Sequence, residues 1–150
     1  MYLQARVFIK TALAQLLLAV LVGAYLLVDS GLRLNTYPAG LLPVYYHLLM
    51  VGWVTQLIAG VALWMFPPLS RERPRGDERL GWFVYATLNS GLLLRAIAEP
   101  VQYVNPTAWS SWGLALAALL QVLAIWALVF TLWPRVKGKP DPARLRKERS

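Results

Sequence analysis

Residues 45–68 read YYHLLMVGWVTQLIAGVALWMFPP, a stretch that is long and apolar enough to cross a membrane. A transmembrane helix needs about 20 consecutive, mostly apolar residues. The single histidine of the chain, His47, lies near the start of this stretch, and two prolines end it. The stretch therefore decides the fold class, and the position of its histidine raises the question of function.

Three further stretches have the same character, and the composition agrees with them. Hydrophobic residues make up 58% of the 150 residues and charged residues 15%, whereas a soluble domain is about a quarter charged. The sequence predicts an all-α membrane protein whose four transmembrane helices form a single domain, residues 1–134. The predicted spans are residues 5–28, 42–66, 80–98 and 109–133, and residues 135–150 form a polar basic tail.

Prolines mark the ends of these spans. Pro43 occupies a first-turn position that needs no helical N–H, whereas Pro67, Pro100 and Pro134 are expected to end the second, third and fourth spans. The tripeptide Asn105-Pro106-Thr107 predicts a turn with a helix cap before the fourth span.

The distribution of positive charge predicts the orientation. Of the 15 Lys and Arg residues, thirteen belong to the N-terminal segment, the 67–79 loop and the tail, and the other side of the membrane has only Arg33 and Arg95. Positive residues stay cytoplasmic, so both termini are expected in the cytoplasm, with the protein in the cell (inner) membrane. Because topology accounts for most of the net charge of +8, no nucleic-acid partner is expected.

The first span has one alternative interpretation, a cleaved signal peptide, because Arg6 and Lys10 precede its apolar run. That run is longer than the usual apolar region of a signal peptide, and no convincing small-residue cleavage motif follows it. We therefore expect the first span to be retained. The absence of cysteine excludes disulfides, thiolate metal sites and thiol redox chemistry.

Each span carries one carboxamide near its middle: Gln15, Gln56, Asn89 and Gln121. These groups form either a polar path or hydrogen bonds between helices, and the second alternative is the more common one in membranes. Three of them belong to stripes of small residues spaced by four, which let helices approach closely. The stripes are Gln15–Ala19–Gly23, Gly52–Gln56–Gly60 and Gly113–Ala117–Gln121.

His47 is predicted to lie on the opposite side of its helix from the Gly52–Gln56–Gly60 stripe. At about 100° per residue it shares a face with Val51 and Ile58, and that face would point away from the packing seam. An imidazole against bare lipid would leave its polar nitrogens unsatisfied. We therefore expect another subunit, a cofactor or both to cover this face.

Thr87, Gly91 and Arg95 stack at four-residue spacing on the third span. The depth of Arg95 is similar to that of His47, which lies about 7 Å below the outer interface. One interpretation is a flat surface for a planar cofactor, with Gly91 under its face and Arg95 on its carboxylates. The alternative is a pair between Arg95 and Glu99, four residues on.

Two segments resemble helices of the haem-copper oxidase superfamily: HLLMVGWVTQLIAGVALWMFP (47–67) and LNSGLLLRAIAEP (88–100). Together they cover about a quarter of the chain, and the resemblance is closest to subunit I of cbb3-type oxidases and to NnrS-like membrane haem proteins. It implies a b-type haem with His47 as its axial iron ligand. One histidine cannot build the family's copper site, so no copper and no reduction of oxygen to water are expected.

The resemblance favours a membrane haem protein that transfers electrons or binds a small gas such as NO, CO or O₂. The alternative is a non-catalytic accessory or structural subunit of a larger membrane complex, without a cofactor. A respiratory or quinone partner stays open, because His47, Tyr45 and Tyr46 could also bind a quinone. Small multidrug exporters are excluded, because no acidic residue lies within a predicted span.

A homo-oligomer is expected, since identical chains closing in a ring would cover the His47 face. The number three comes from the resemblance alone, because oxidase subunit I looks like three arcs of four helices around a pseudo-threefold axis. A dimer that places two histidines on one haem is the alternative.

Overall fold

The computed structural model describes residues 2–34, 38–68 and 77–136. Its helices are α1 (Leu3–Leu32), a 3₁₀ turn (Pro38–Leu41), α2 (Leu42–His47), a π-helical segment (Leu48–Thr55), α3 (Gln56–Met65), α4 (Glu78–Val104), α5 (Ala108–Leu132) and a last 3₁₀ turn (Trp133–Arg135). No strand occurs within these described ranges. The predicted all-α class is confirmed.

The helices α2 and α3 and the π-helical segment between them run on without a break, and together they are called the second span. The second span and α1, α4 and α5 (the last with its 3₁₀ turn) are four helices that are long and apolar enough to cross a membrane. This is the architecture of a multi-pass membrane protein. Arg71, Arg73, Arg75 and the tail from Lys137 onward, which carry much of the predicted orientation signal, lie outside the described residues.

Most predicted helix ends agree with the structure. The second span begins at Leu42 with Pro43 in its first turn and ends at Met65. Thr107 caps α5 through a reciprocal capping box with Ser110, as its position after Asn105-Pro106 predicted. α1 is longer than expected at both ends and stops where Arg33 adopts a left-handed conformation with φ 51°.

The prediction that Pro100 ends the third helix is wrong, because α4 continues through Pro100 to Val104. A proline lacks one backbone donor, and transmembrane helices tolerate the freed carbonyl when neighbouring groups surround it. The added turn matters for the site, because it places Arg95 nine residues from the end of α4 instead of beside it.

The small-residue stripe of the second span faces α1, as predicted. A Cβ atom on Gly52 would collide with the Gln15 side chain, and one on Gly60 would come within 2.9 Å of both Phe8 and Ile9 side chains. Because lipid supplies no hydrophobic drive between helices, such close approach is what holds these two helices together.

Val51 corrects the expectation about the face that carries His47. It packs against a buried cluster of Leu88, Leu92 and Ala124, which belong to α4 and α5. The His47 face is therefore covered in part by α4 and α5 of the same chain at this position, whereas the expectation named only another subunit or a cofactor as its cover. The physical reason is that a helix in a four-helix bundle has more than one neighbour: the small-residue stripe lies against α1, while Val51 lies against α4 and α5.

Arg135 belongs to the helical domain, although the sequence placed it at the start of the polar tail. Its side chain is 2% exposed. Its guanidinium donates to the backbone oxygens of Leu63 (3.2 Å), Phe66 (2.8 Å) and Pro67 (3.1 Å), which lie in the last turn of α3 and just beyond it. The end of α5 is thereby fixed to the end of the second span.

Candidate functional site

His47 lies at the point where the second span changes its helical geometry. It is the last residue of α2, and the π-helical segment begins at Leu48 and runs for 8 residues. π-helical turns are rare and occur mostly as single-turn bulges, frequently at functional sites. The ring of His47 is partly exposed.

The orientation of the imidazole is fixed by its own helix. The Nδ1 atom lies 2.9 Å from the carbonyl oxygen of Pro43, one turn earlier. A carbonyl oxygen only accepts, so Nδ1 carries the hydrogen and donates it. The remaining nitrogen, Nε2, then has a free lone pair, and it makes no hydrogen bond within the described ranges.

The depth predicted for Arg95 relative to His47 agrees with the packing of the helices. A Cβ atom on Gly40 would lie 3.2 Å from the backbone of Pro100 and 3.0 Å from the Tyr103 side chain, so Gly40 is level with this part of α4. His47 follows Gly40 by seven residues, through the 3₁₀ turn and α2, and lies about 10 Å further into the bundle. Seven residues back along α4 are residues 93–96, so Arg95 and His47 lie at similar depth.

The remaining predicted cofactor residues fit a structural role better. Arg95 is held by Glu99 at 2.6 and 2.7 Å, the alternative that the four-residue spacing left open. The hydroxyl of Thr87 donates to the backbone oxygen of Phe83 at 2.7 Å. Gly91 is buried against α5, where a Cβ atom would lie 3.0 Å from both the Ala117 carbonyl and the Gln121 side chain.

In this packing α5 occupies the space next to Gly91, where the flat face of a cofactor was expected. The four-residue spacing of Gly91 with Thr87 and Arg95 predicted a flat surface, and the group that lies against Gly91 is a helix. Of the residues expected to bind a cofactor, His47 has a ring nitrogen with a free lone pair, the atom type that can bind a haem iron.

A groove opens between the second span and α5, inward from His47. It is lined by Val51 and Thr55 from the π-helical segment and by Ala118, Gln121 and Trp126, among others, from α5. Its volume is about 420 Å³, within the range of about 300–1,000 Å³ usual for small-molecule sites. Val51 is four residues from His47, so the groove begins about one turn deeper.

The carboxamides of the four spans differ in their partners. Gln15 donates through Nε2 to the Asn89 side chain at 2.7 Å, and Gln56 donates to the Phe8 carbonyl at 3.4 Å. These two contacts are the hydrogen bonds between helices that the sequence favoured. Gln121 differs, because its amide makes no hydrogen bond within the described ranges, whereas Gln15 and Gln56 each donate one bond and keep a buried, unpaired carbonyl oxygen. The side chain of Gln121 lines the groove.

The described residues contain no group of three or more His, Asp or Glu side chains that could hold a metal ion together. A haem iron needs only one or two ligands from the protein, so this observation leaves the expected haem ligand as it was.

Comparison with known proteins finds no matching family model, curated protein or solved structure. The resemblance to haem-copper oxidase helices therefore stays a prediction from residues 47–67 and 88–100. The function has to be inferred from the side chains themselves.

Three features of the site were not predicted from the sequence: the π-helical segment, the groove and the position of Thr55 in its wall. A helical wheel with a fixed angle per residue cannot show a π-helical turn. Gln121 was visible as the carboxamide of its span, but the sequence does not show which of the four carboxamides lacks a partner.

Proposed function

We propose that this protein is an integral membrane protein that binds b-type haem through Nε2 of His47, for electron transfer or for binding a small gas. The observation that carries the proposal is the bond between His47 Nδ1 and the Pro43 carbonyl. Metal-ligating histidines almost always donate their second ring N–H to a carbonyl, a carboxylate or water. That bond fixes the tautomer and the orientation of the ring, and it leaves Nε2 as the nitrogen that can ligate iron.

The surroundings of His47 support an apolar ligand. The neighbouring positions on the helix are Val44, Leu48 and Val51, and the ring is partly exposed. A bound haem would supply an iron that cycles between two oxidation states and can accept a further axial ligand. The part of the chain is to hold the imidazole in one tautomer and one orientation and to surround it with apolar side chains.

The second axial position has no ligand from the same helix. Met50 is three residues from His47 and is 55% exposed, and it projects from the same helix that supplies His47. It cannot reach the opposite face of a ring that His47 holds. A histidine from another chain would favour electron transfer, whereas an open position would favour gas binding.

We assign no haem contact to Arg95, Thr87 or Gly91. Arg95 lies near the depth of His47, but its guanidinium is engaged by Glu99, whose side chain is 8% exposed. Thr87 bonds its own helix, and Gly91 lies against α5.

We also propose that both termini face the cytoplasm and that the protein sits in the cell membrane, because the positive residues concentrate on that side. A homo-oligomer, with a trimer as the expected form, belongs to the same proposal. What supports a homo-oligomer is His47, which is partly exposed and whose Nε2 has no partner that lipid could supply, and the number three rests on the resemblance alone. Native mass spectrometry from detergent tests the number of copies, and a clean monomer that also fails to cross-link in membranes would reject it.

The haem proposal is tested by absorbance of protein produced with haem available. Spectra are recorded oxidised, reduced with dithionite, and reduced in the presence of CO. A Soret band that shifts on reduction is expected, and a CO-induced shift would assign an open axial position. Protein that copurifies with a larger membrane complex and shows no Soret band would favour the accessory-subunit alternative.

A further inference from the structure

We propose that the groove between the π-helical segment and α5 binds the ring of a quinone or quinol from the lipid phase, with the Gln121 carboxamide as its polar contact. This site goes beyond the proposed haem function and does not depend on it, since none of the groove residues named here ligates iron in that proposal.

Gln121 is a mid-span carboxamide that lacks a hydrogen-bond partner among the described residues. Its amide makes no hydrogen bond in the described ranges, and its Nε2 is buried without a partner. A buried polar group that stays unpaired costs about 1–3 kcal/mol, and in lipid no water offsets that cost. The other three mid-span carboxamides each donate a hydrogen bond to a neighbour. Gln15 and Gln56 each leave a buried carbonyl oxygen unpaired, but Gln121 is the mid-span carboxamide that makes no hydrogen bond at all within the described residues.

A carboxamide can both donate and accept a hydrogen bond. A rotation of the amide group presents either the NH₂ donor or the carbonyl acceptor toward the groove. A quinone carbonyl only accepts and a quinol hydroxyl donates, so one side chain can pair with both redox forms. Thr55 adds a hydroxyl to the same groove; it donates to the Met50 carbonyl at 2.8 Å, which leaves its oxygen able to accept.

The groove has apolar walls and one aromatic surface. Val51, Val122 and Ile125 supply apolar walls, Ala118 leaves space between them, and Trp126, 63% exposed, supplies an aromatic surface. A flat ring with an apolar tail fits this combination of one polar contact and apolar walls. A lipid acyl chain would fill the groove but would leave the amide of Gln121 unpaired.

The test is saturable quenching of tryptophan fluorescence by decylubiquinone, in nanodiscs of quinone-free lipid. It is run in the His47→Ala variant, so that bound haem cannot quench. Replacing Gln121 with Leu keeps the size of the side chain and removes its hydrogen bonds, and should weaken binding about three- to tenfold. Ala118→Phe fills the groove and should abolish saturable binding. Ala115→Phe is the matched control, since Ala115 is exposed on the same helix outside the groove.

The outcomes separate the possibilities. Equal binding of decylubiquinone by the parent protein, the Gln121→Leu variant and the Ala118→Phe variant would overturn the proposal. It would also be overturned if decylbenzene, which has the tail but no quinone ring, displaced decylubiquinone at a similar concentration. If Gln121→Leu fails to insert, as judged by helical circular dichroism and elution volume, the Ala118 and Ala115 pair decides. Haem spectra of the same groove variants with His47 restored test the proposed function separately, and a Soret band is expected in each.

Discussion

His47 and Pro43 lie one helical turn apart, and the Nδ1 atom of His47 is 2.9 Å from the carbonyl oxygen of Pro43. The bond lets the backbone of the second span select the tautomer of the ring. It also leaves Nε2, the nitrogen farther from the helix, as the atom that can bind a metal ion.

Replacing His47 with Ala should abolish haem binding and leave the helices inserted, because the substitution removes the iron ligand and alanine suits a transmembrane helix. The measurement is the Soret absorbance per mole of purified protein. Met50→Leu is the control, since it removes another possible axial ligand three residues away. A full haem complement in the His47→Ala variant would show that His47 is not the iron ligand.

Replacing Arg95 with Leu should destabilise the protein, because the Glu99 carboxylate would stay 8% exposed without its partner. Breaking a fully buried pair costs about 3–5 kcal/mol, and the loss here should be smaller because Arg95 is 23% exposed. The double variant Arg95→Leu, Glu99→Leu should recover much of the stability, measured as the midpoint of SDS-induced unfolding. If haem occupancy falls in the folded Arg95→Leu variant, Arg95 contacts the haem after all.

Replacing Arg135 with Ala should lower the free energy of unfolding by at least about 2 kcal/mol, because three backbone oxygens at the end of the second span lose a charged donor. Lysine should recover only part of this loss, since one ammonium cannot reproduce the planar fork of a guanidinium. Arg79→Ala, at an exposed position, is the control. Equal unfolding midpoints for the Arg135 and Arg79 variants would show that the Arg135 contacts contribute nothing measurable.

Replacing Gly52 with Ala should destabilise the bundle, because the new Cβ atom collides with the Gln15 side chain and disturbs its bond to Asn89. Gly31 provides the matched control, since a Cβ atom there meets nothing within 4 Å. The change from glycine to alanine is favourable by up to about 1 kcal/mol in a helix interior, and by less at Gly31, which lies in the last turn of α1. The change in the midpoint of SDS-induced unfolding is therefore expected to be negative for Gly52→Ala and positive for Gly31→Ala. A stabilised Gly52→Ala variant would show that α1 can move away at little cost.

The fold was largely predictable because membrane helices are read from length and hydropathy, which need no knowledge of packing. The stripe through Gly52 and Gly60 also predicted its own interface, since only small residues permit close approach. Pro100 misled the prediction because a rule for helix ends in water is weaker for a helix surrounded by lipid and protein.

The site was less predictable, because its main features depend on the packing of the backbone. His47 could be singled out because it is the one histidine of the sequence, but its bond to the Pro43 carbonyl is visible only in the structure. Gly91 matched the pattern of a cofactor surface and of a helix contact equally well, and only the position of α5 decides between them. The groove depends on the π-helical segment, for which the sequence offered no signal.

The central claim, that His47 holds a haem, is tested most directly by the reduced-minus-oxidised absorbance spectrum of the full chain purified after production with haem available. The account predicts a Soret band in the oxidised protein and the sharpened visible bands of a b-type haem after dithionite reduction. Well-folded protein with no absorbance above 300 nm beyond its tryptophan edge, under conditions where a known membrane haem protein is fully loaded, would contradict it.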